Sequence, residues 1–221
     1  MWSVYSVVPP LFVPFAPFVV QPLSVLSALP MTNAEDRAVT PPPLARFLAG
    51  RGQVWRVPVV LAGAGLMALA SQAAFPVGPI PITLQSLMLF VLAGLCGMRL
   101  VFQVVLVWLL FAIVGLPVLA GGEGGPEAMM GGSAGFLLGM LLAAPLVART
   151  AEQTFEPARL TGAFLLGHAL ILALGWAWLA TLVGVGPAFA DGVAPFLPGA
   201  VVKSLIAALL VWAIRRKVSA S

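Results

Sequence analysis

Residues 160–183 read LTGAFLLGHALILALGWAWLATLV, an apolar run with no acidic residue, lysine or arginine. A helix needs about 20 residues to cross the hydrocarbon core of a bilayer, within a range near 17–25. The run fits that range, and Arg159 stands at its start. Working outward, five further apolar segments appear at 55–74, 82–97, 100–119, 132–148 and 198–214. The second and the last are short, which predicts tilt or extension of their helices. The fold expected is all-α: a six-helix transmembrane bundle over residues 55–216.

The composition agrees. Hydrophobic residues make up 61% of the chain and charged residues only 8%, against roughly 25% charged in soluble domains. So little charge cannot cover a wetted surface. The net charge of +4 comes from cations scattered between apolar runs, with no basic patch interleaved with aromatics. Nucleic-acid binding is therefore disfavoured. One cysteine, Cys96, excludes an intrachain disulfide and a multi-cysteine metal site.

The cations order the topology. Arg37, Arg46, Arg51 and Arg56 stand before the first span, and Arg215, Arg216 and Lys217 follow the sixth. Arg99 falls between the second and third, Arg149 and Arg159 between the fourth and fifth. The other loops carry Glu123, Glu127 and Asp191 without a cation. Under the positive-inside rule both termini are cytoplasmic and the acidic loops face outward. Residues 31–54 form a cytoplasmic polar segment and 217–221 a short tail. Residues 1–30 are apolar but broken by six prolines; they make a poor span, and Met31 is a second candidate start.

Lys203 breaks the rule, because it lies inside the sixth segment five residues past Pro198, which suits a first helical position. A lysine at that depth costs on the order of 2.5–3.5 kcal/mol or less. Two readings offset the cost. Either the amine snorkels to the outer water, or it faces a cavity and meets an anionic ligand. Gly199, Ala200 and Ala207 on the same face leave room for the second. Thr83, Gln85 and Ser133 gather uncharged donors and acceptors near the same outer level, although such residues also join helices.

Several of these positions carry a family resemblance. The run Gly78-Pro79-Ile80-Pro81-Ile82-Thr83-Leu84-Gln85 resembles the segment joining helices one and two in the BioY family. These are substrate-capture (S) components of energy-coupling-factor transporters for biotin. Gly115-Leu116-Pro117-Val118 with Ala120-Gly121-Gly122 resembles the family's loop after helix three. Gly131-Gly132-Ser133-Ala134-Gly135-Phe136-Leu137 resembles its Gly-Pro-Thr-Gly-Gly-Tyr-Leu signature. Pro195-Phe196-Leu197-Pro198-Gly199 with Lys203 resembles its Pro-Phe-x-Pro-Gly-Asp-x-x-Lys signature. The family's Asp is Ala200 here, which removes one polar group from the expected site.

The resemblance implies a bacterial cytoplasmic-membrane protein that captures biotin from the outer side, with no catalytic residue, metal or cofactor. It implies that Lys203 pairs with one polar end of biotin, that Thr83, Gln85 and Ser133 make further contacts, and that Trp176 or Trp178 stacks on the ring system. It implies partners as well: a membrane coupling protein and ATP-binding cassette ATPases. No phosphate-binding Gly-x-x-x-x-Gly-Lys-Ser/Thr motif occurs in this chain. Ala64 and Ala68, four apart with Gly65 beside them, resemble the small-residue face that docks on the coupling protein. Ordinary packing inside the bundle is the competing reading.

Two rivals come from other classes. Gly131-Gly132-Ser133-Ala134-Gly135 matches Gly-x-Ser-x-Gly, and His168 is the one histidine, so a serine hydrolase is conceivable. At 1.5 Å per residue, however, the two side chains lie about 10 Å apart along the membrane normal, too far for a dyad. His168 then reads as a hydrogen-bonded neutral imidazole. The other rival is an S component for another vitamin, or a secondary carrier of a small carboxylate. All seven Asp and Glu residues fall outside the six segments, which disfavours ion coupling.

Overall fold

The computed structural model describes residues 41–51, 53–75, 80–154 and 156–219. The proline-broken stretch 1–30, the candidate start at Met31, the segment to 40 and Gly78-Pro79 lie outside the described residues. Among the described residues, apolar helices overlap the expected segments: α2 (Arg56–Gln72), α3 (Gln85–Cys96), α4 (Met98–Ile113), α6 (Ala134–Gln153), α7 (Pro157–Val183) and α9 (Phe196–Ser219). Three of them, α6, α7 and α9, are long and apolar enough to cross a membrane; α2, α3 and α4 are shorter. Three short helices sit at the connections: α1 (Pro43–Ala49), α5 (Pro126–Met130) and α8 (Val185–Gly192).

The side chains sort as lipid requires. Along α9, Ala200, Ser204, Ala207, Ala208 and Val211 are buried, while Val201, Val202, Leu205, Ile206, Leu209 and Leu210 are exposed. Small residues face the neighbouring helices and large aliphatics face outward, because between helices in lipid it is close packing that stabilises. The same logic places glycines at the crossings. A Cβ on Gly139 of α6 would lie 2.8 Å from the Cα of Ile171 on α7, and one on Gly63 of α2 would lie 2.7 Å from Val104 of α4. Glycine is what allows these backbones to approach.

The boundaries differ from expectation where proline and glycine act. The second segment starts late as a helix. Ile82–Thr83 (β2) instead pairs antiparallel with Ala74–Phe75 (β1), Ala74 opposite Thr83, and α3 begins only at Gln85. The third stops at Ile113 rather than 119, followed by Gly115 at φ 91°. The sixth begins at Phe196, so Pro198 is its third residue, not its first, where a missing N–H still breaks no bond.

The connection after α4 is tied down. Gln72 Nε2 of α2 donates to Leu119 O at 2.8 Å, and Trp108 Nε1 of α4 donates to Val118 O at 3.0 Å. At the other end of the bundle, Gly97 (φ 79°) turns α3 into α4, and Glu152 of α6 accepts the Met98 N–H at 2.8 Å. Arg215, expected as a flanking charge after the sixth span, is buried within α9 and donates to Ala151 O. That carbonyl belongs to the last turn of α6, where free carbonyls attract a cation.

Candidate functional site

A cavity of about 730 Å³ opens among the start of α3, the loop before α5, the start of α6, and the faces of α7 and α9. Four of the expected contact residues line it: Thr83, Gln85, Ser133 and Lys203. Each is placed by a different local device. Thr83 ends the short β ladder, Gln85 opens α3, Ser133 stands at the N-cap of α6, and Lys203 projects from α9.

Lys203 Nζ donates to the backbone carbonyl of Thr83 at 2.7 Å. The amine is thus turned into the bundle rather than outward, and snorkelling is not the conformation found. An ammonium has three donors, so two remain for a ligand. Thr83 shows why the carbonyl is there: the strand geometry before α3 leaves it outside any helical ladder. Ala200, one turn earlier on α9 and also lining the cavity, is buried.

Gln85 is held in one orientation by a chain of bonds. Thr83 Oγ1 donates to its Oε1 at 3.0 Å, and its Nε2 donates to Ser71 Oγ at 2.7 Å. Ser71 in turn donates to Met67 O at 2.8 Å. Because Ser71 spends its proton on that carbonyl, it must accept from Gln85, which fixes amide oxygen and nitrogen. One N–H of Gln85 is left over. The Ser133 hydroxyl meets no protein partner among the described residues.

His168 also lines the cavity. Its Nε2 lies 3.0 Å from Ser86 Oγ, and its Nδ1 lies 3.0 Å from Ser204 Oγ and 3.2 Å from Phe164 O. Its serine partners are Ser86 and Ser204, not Ser133, and the hydrolase dyad has no counterpart here. The imidazole joins α3, α7 and α9 one residue from Gln85 and one from Lys203.

Two groups of expected contact residues stand away from the cavity or the surface. Trp176 and Trp178 do not line the cavity. Their indole N–H groups donate to Val185 O at 3.2 Å and Gly131 O at 2.9 Å, bracing the chain around it. The aromatic wall is Phe136 with Phe196, stacked with centroids 6.0 Å apart. Both lay inside quoted motifs, but alternation of aromatics along a helix does not say which face meets a hollow. Ala64 is the second: it is fully buried in the core, whereas Ala68 is half-buried and Gly65 exposed.

Sequence reading also missed Ser86, Glu123 and Glu127 as lining residues. The two glutamates stand exposed at the mouth. A glycine-rich loop carrying acids past the third span was the available signal.

A family model described as the BioY family matches residues 46–220. The chain is 30% identical over 172 residues to "Biotin transporter BioY2" of Lactococcus lactis subsp. cremoris, covering 76% of this chain and 93% of that protein. It is 38% identical over 161 residues to "Biotin transporter BioY" of Rhodobacter capsulatus, covering 66% and 84%. In fold it is similar to a crystal structure of the S-component for biotin from an ECF-type ABC transporter. The TM-score there is 0.65 at 24% identity, covering 74% of this chain and 92% of the other.

Proposed function

This chain belongs to the BioY family, and from that premise we infer that it takes up biotin as the substrate-capture component of an energy-coupling-factor transporter. It is a transport protein, as its relatives are named, and not an enzyme. A membrane coupling protein and ATP-binding cassette ATPases supply the energy, because this chain carries no phosphate-binding loop of its own. Six crossings of the bacterial cytoplasmic membrane, with both termini inside, are the topology that its cation pattern favours. The cavity then opens outward, where the vitamin arrives.

The observation that carries this reading is Lys203: an ammonium turned into a lined hollow and held at 2.7 Å by a carbonyl. Biotin has one carboxylate and a neutral ureido ring. We assign Lys203 to the charge-bearing contact, with Thr83, Gln85 and Ser133 as the uncharged ones. Phe136 and Phe196 supply an apolar wall. Trp176 ties α7 to the first residue of α8 through Val185 O.

Calorimetric titration of the detergent-purified protein with biotin tests the substrate. Saturable heat at micromolar ligand or below is expected, and its absence rejects biotin. Replacing Lys203 with Ala removes a charge-assisted bond and is expected to weaken binding about tenfold to a hundredfold. Unchanged affinity would remove Lys203 from the site.

A further inference from the structure

We propose that a second cavity, at the far end of the bundle, is a binding site for the headgroup of an anionic phospholipid. It has a volume of about 670 Å³ and is lined by Ala45 and Leu48 of α1, Arg51, Arg56, Arg99 at the α3–α4 corner, and Glu152 of α6. Cys96 at the end of α3 and Glu152 at the end of α6 set it opposite the first cavity, which lies at the starts of the same two helices.

Among the described residues the charge does not balance at Arg51 and Arg99: these two guanidinium groups share the cavity with one carboxylate, and Glu152 already accepts the first N–H of α4. Arg51 donates to Phe47 O at 3.1 Å and lies 3.7 Å over the Phe47 ring. Among the described residues, neither Arg51 nor Arg99 pairs with a carboxylate. A guanidinium presents a planar fork of donors that matches phosphate oxygens, and basic pockets between membrane helices suit anionic headgroups.

The surroundings of Arg51 say what the anion is attached to. Phe47, whose ring Arg51 covers, is 40% exposed, and it meets Trp55, 53% exposed, edge to face at 6.5 Å. Aromatics of this kind sit at the headgroup level. A free phosphate would use the arginines and leave these exposed aromatics idle. An acyl chain uses both. The site rests on the bundle lying in a bilayer and is independent of which vitamin the other cavity takes.

The test is native mass spectrometry of the full chain from mixed micelles holding equal phosphatidylglycerol and phosphatidylcholine. Phosphatidylglycerol is expected to be retained over phosphatidylcholine by about tenfold. Arg51→Gln with Arg99→Gln should erase that preference, and Arg159→Gln, outside the cavity, should leave it. Should the glutamine variant fail to fold, Arg51→Lys with Arg99→Lys keeps the charge and loses the fork, and retention should fall towards parity. The proposal is overturned by equal retention in the native chain, by a preference that survives either double variant, or by inorganic phosphate displacing the lipid at equal concentration.

Discussion

Lys203 and His168 occupy neighbouring turns of adjacent helices and solve the same problem differently. Each is a polar group inside an apolar bundle, where an unsatisfied donor or acceptor is costly. Lys203 uses a carbonyl freed by the strand before α3; His168 uses two serines from two helices. Replacing His168 with Phe strands both hydroxyls. We expect a loss of about 1–2 kcal/mol in stability, read as a lower midpoint of thermal unfolding in detergent. Adding Ser86→Ala and Ser204→Ala should recover part of it, and a single variant as stable as the native chain would show the network to be idle. At this scale the sequence was informative wherever chemistry forced a choice. Lys203 stood out because charge inside a span demands a partner. The partner itself was not legible, since a backbone carbonyl has no residue letter. Phe136 and Phe196 were hidden for a related reason, since an aromatic at an interface reads the same whether it meets lipid, helix or hollow.

Among the helices, close approach between α6 and α7 decides the shape of the cavity wall. Gly135 and Gly139 lie four apart on α6, and Gly175 of α7 abuts Phe136, which lines the hollow. A side chain at 139 would collide with the backbone of Ile171, which cannot rotate aside. Gly139→Val is therefore expected to lower the yield of monodisperse protein and to cost about 1–3 kcal/mol. Gly162→Ala, with nothing within 4 Å of its Cβ, serves as a neutral control; equal behaviour of the two would refute the packing argument. The helical class and the long apolar helices α6, α7 and α9 were legible from hydropathy. Their ends were not. Pairing of Ile82–Thr83 with Ala74–Phe75 displaced the start of α3, Gly115 cut α4 short, and α9 ran on through its terminal cations because Arg215 found a buried carbonyl. The short α8 was unreadable as well, since GPAF within an apolar tract signals a loop as readily as a helix.

For the molecule in its membrane, the proposed six-crossing topology makes a labelling experiment decisive. Native Cys96 is only 2% exposed and should stay silent towards a membrane-impermeant maleimide. Cysteine placed at Glu123 or Asp191 should react in intact cells, and cysteine placed at Ser219 only after lysis. Reaction at Ser219 from outside would invert the orientation and move the larger cavity to the wrong side.

The mouth of that cavity has an implication for which solutes are welcome. Lys203 offers its walls a single positive group, while Glu123 and Glu127 place two negative ones at the threshold. A solute carrying one carboxylate can satisfy the ammonium and leave its neutral remainder near the acids. A dicarboxylate of the same size has no complement for its second charge and must hold it against like charge. On that arithmetic of sign, a dicarboxylate is expected to compete with biotin more weakly than a monocarboxylate of the same size, and equal competition in a titration would refute the role given to the two acids.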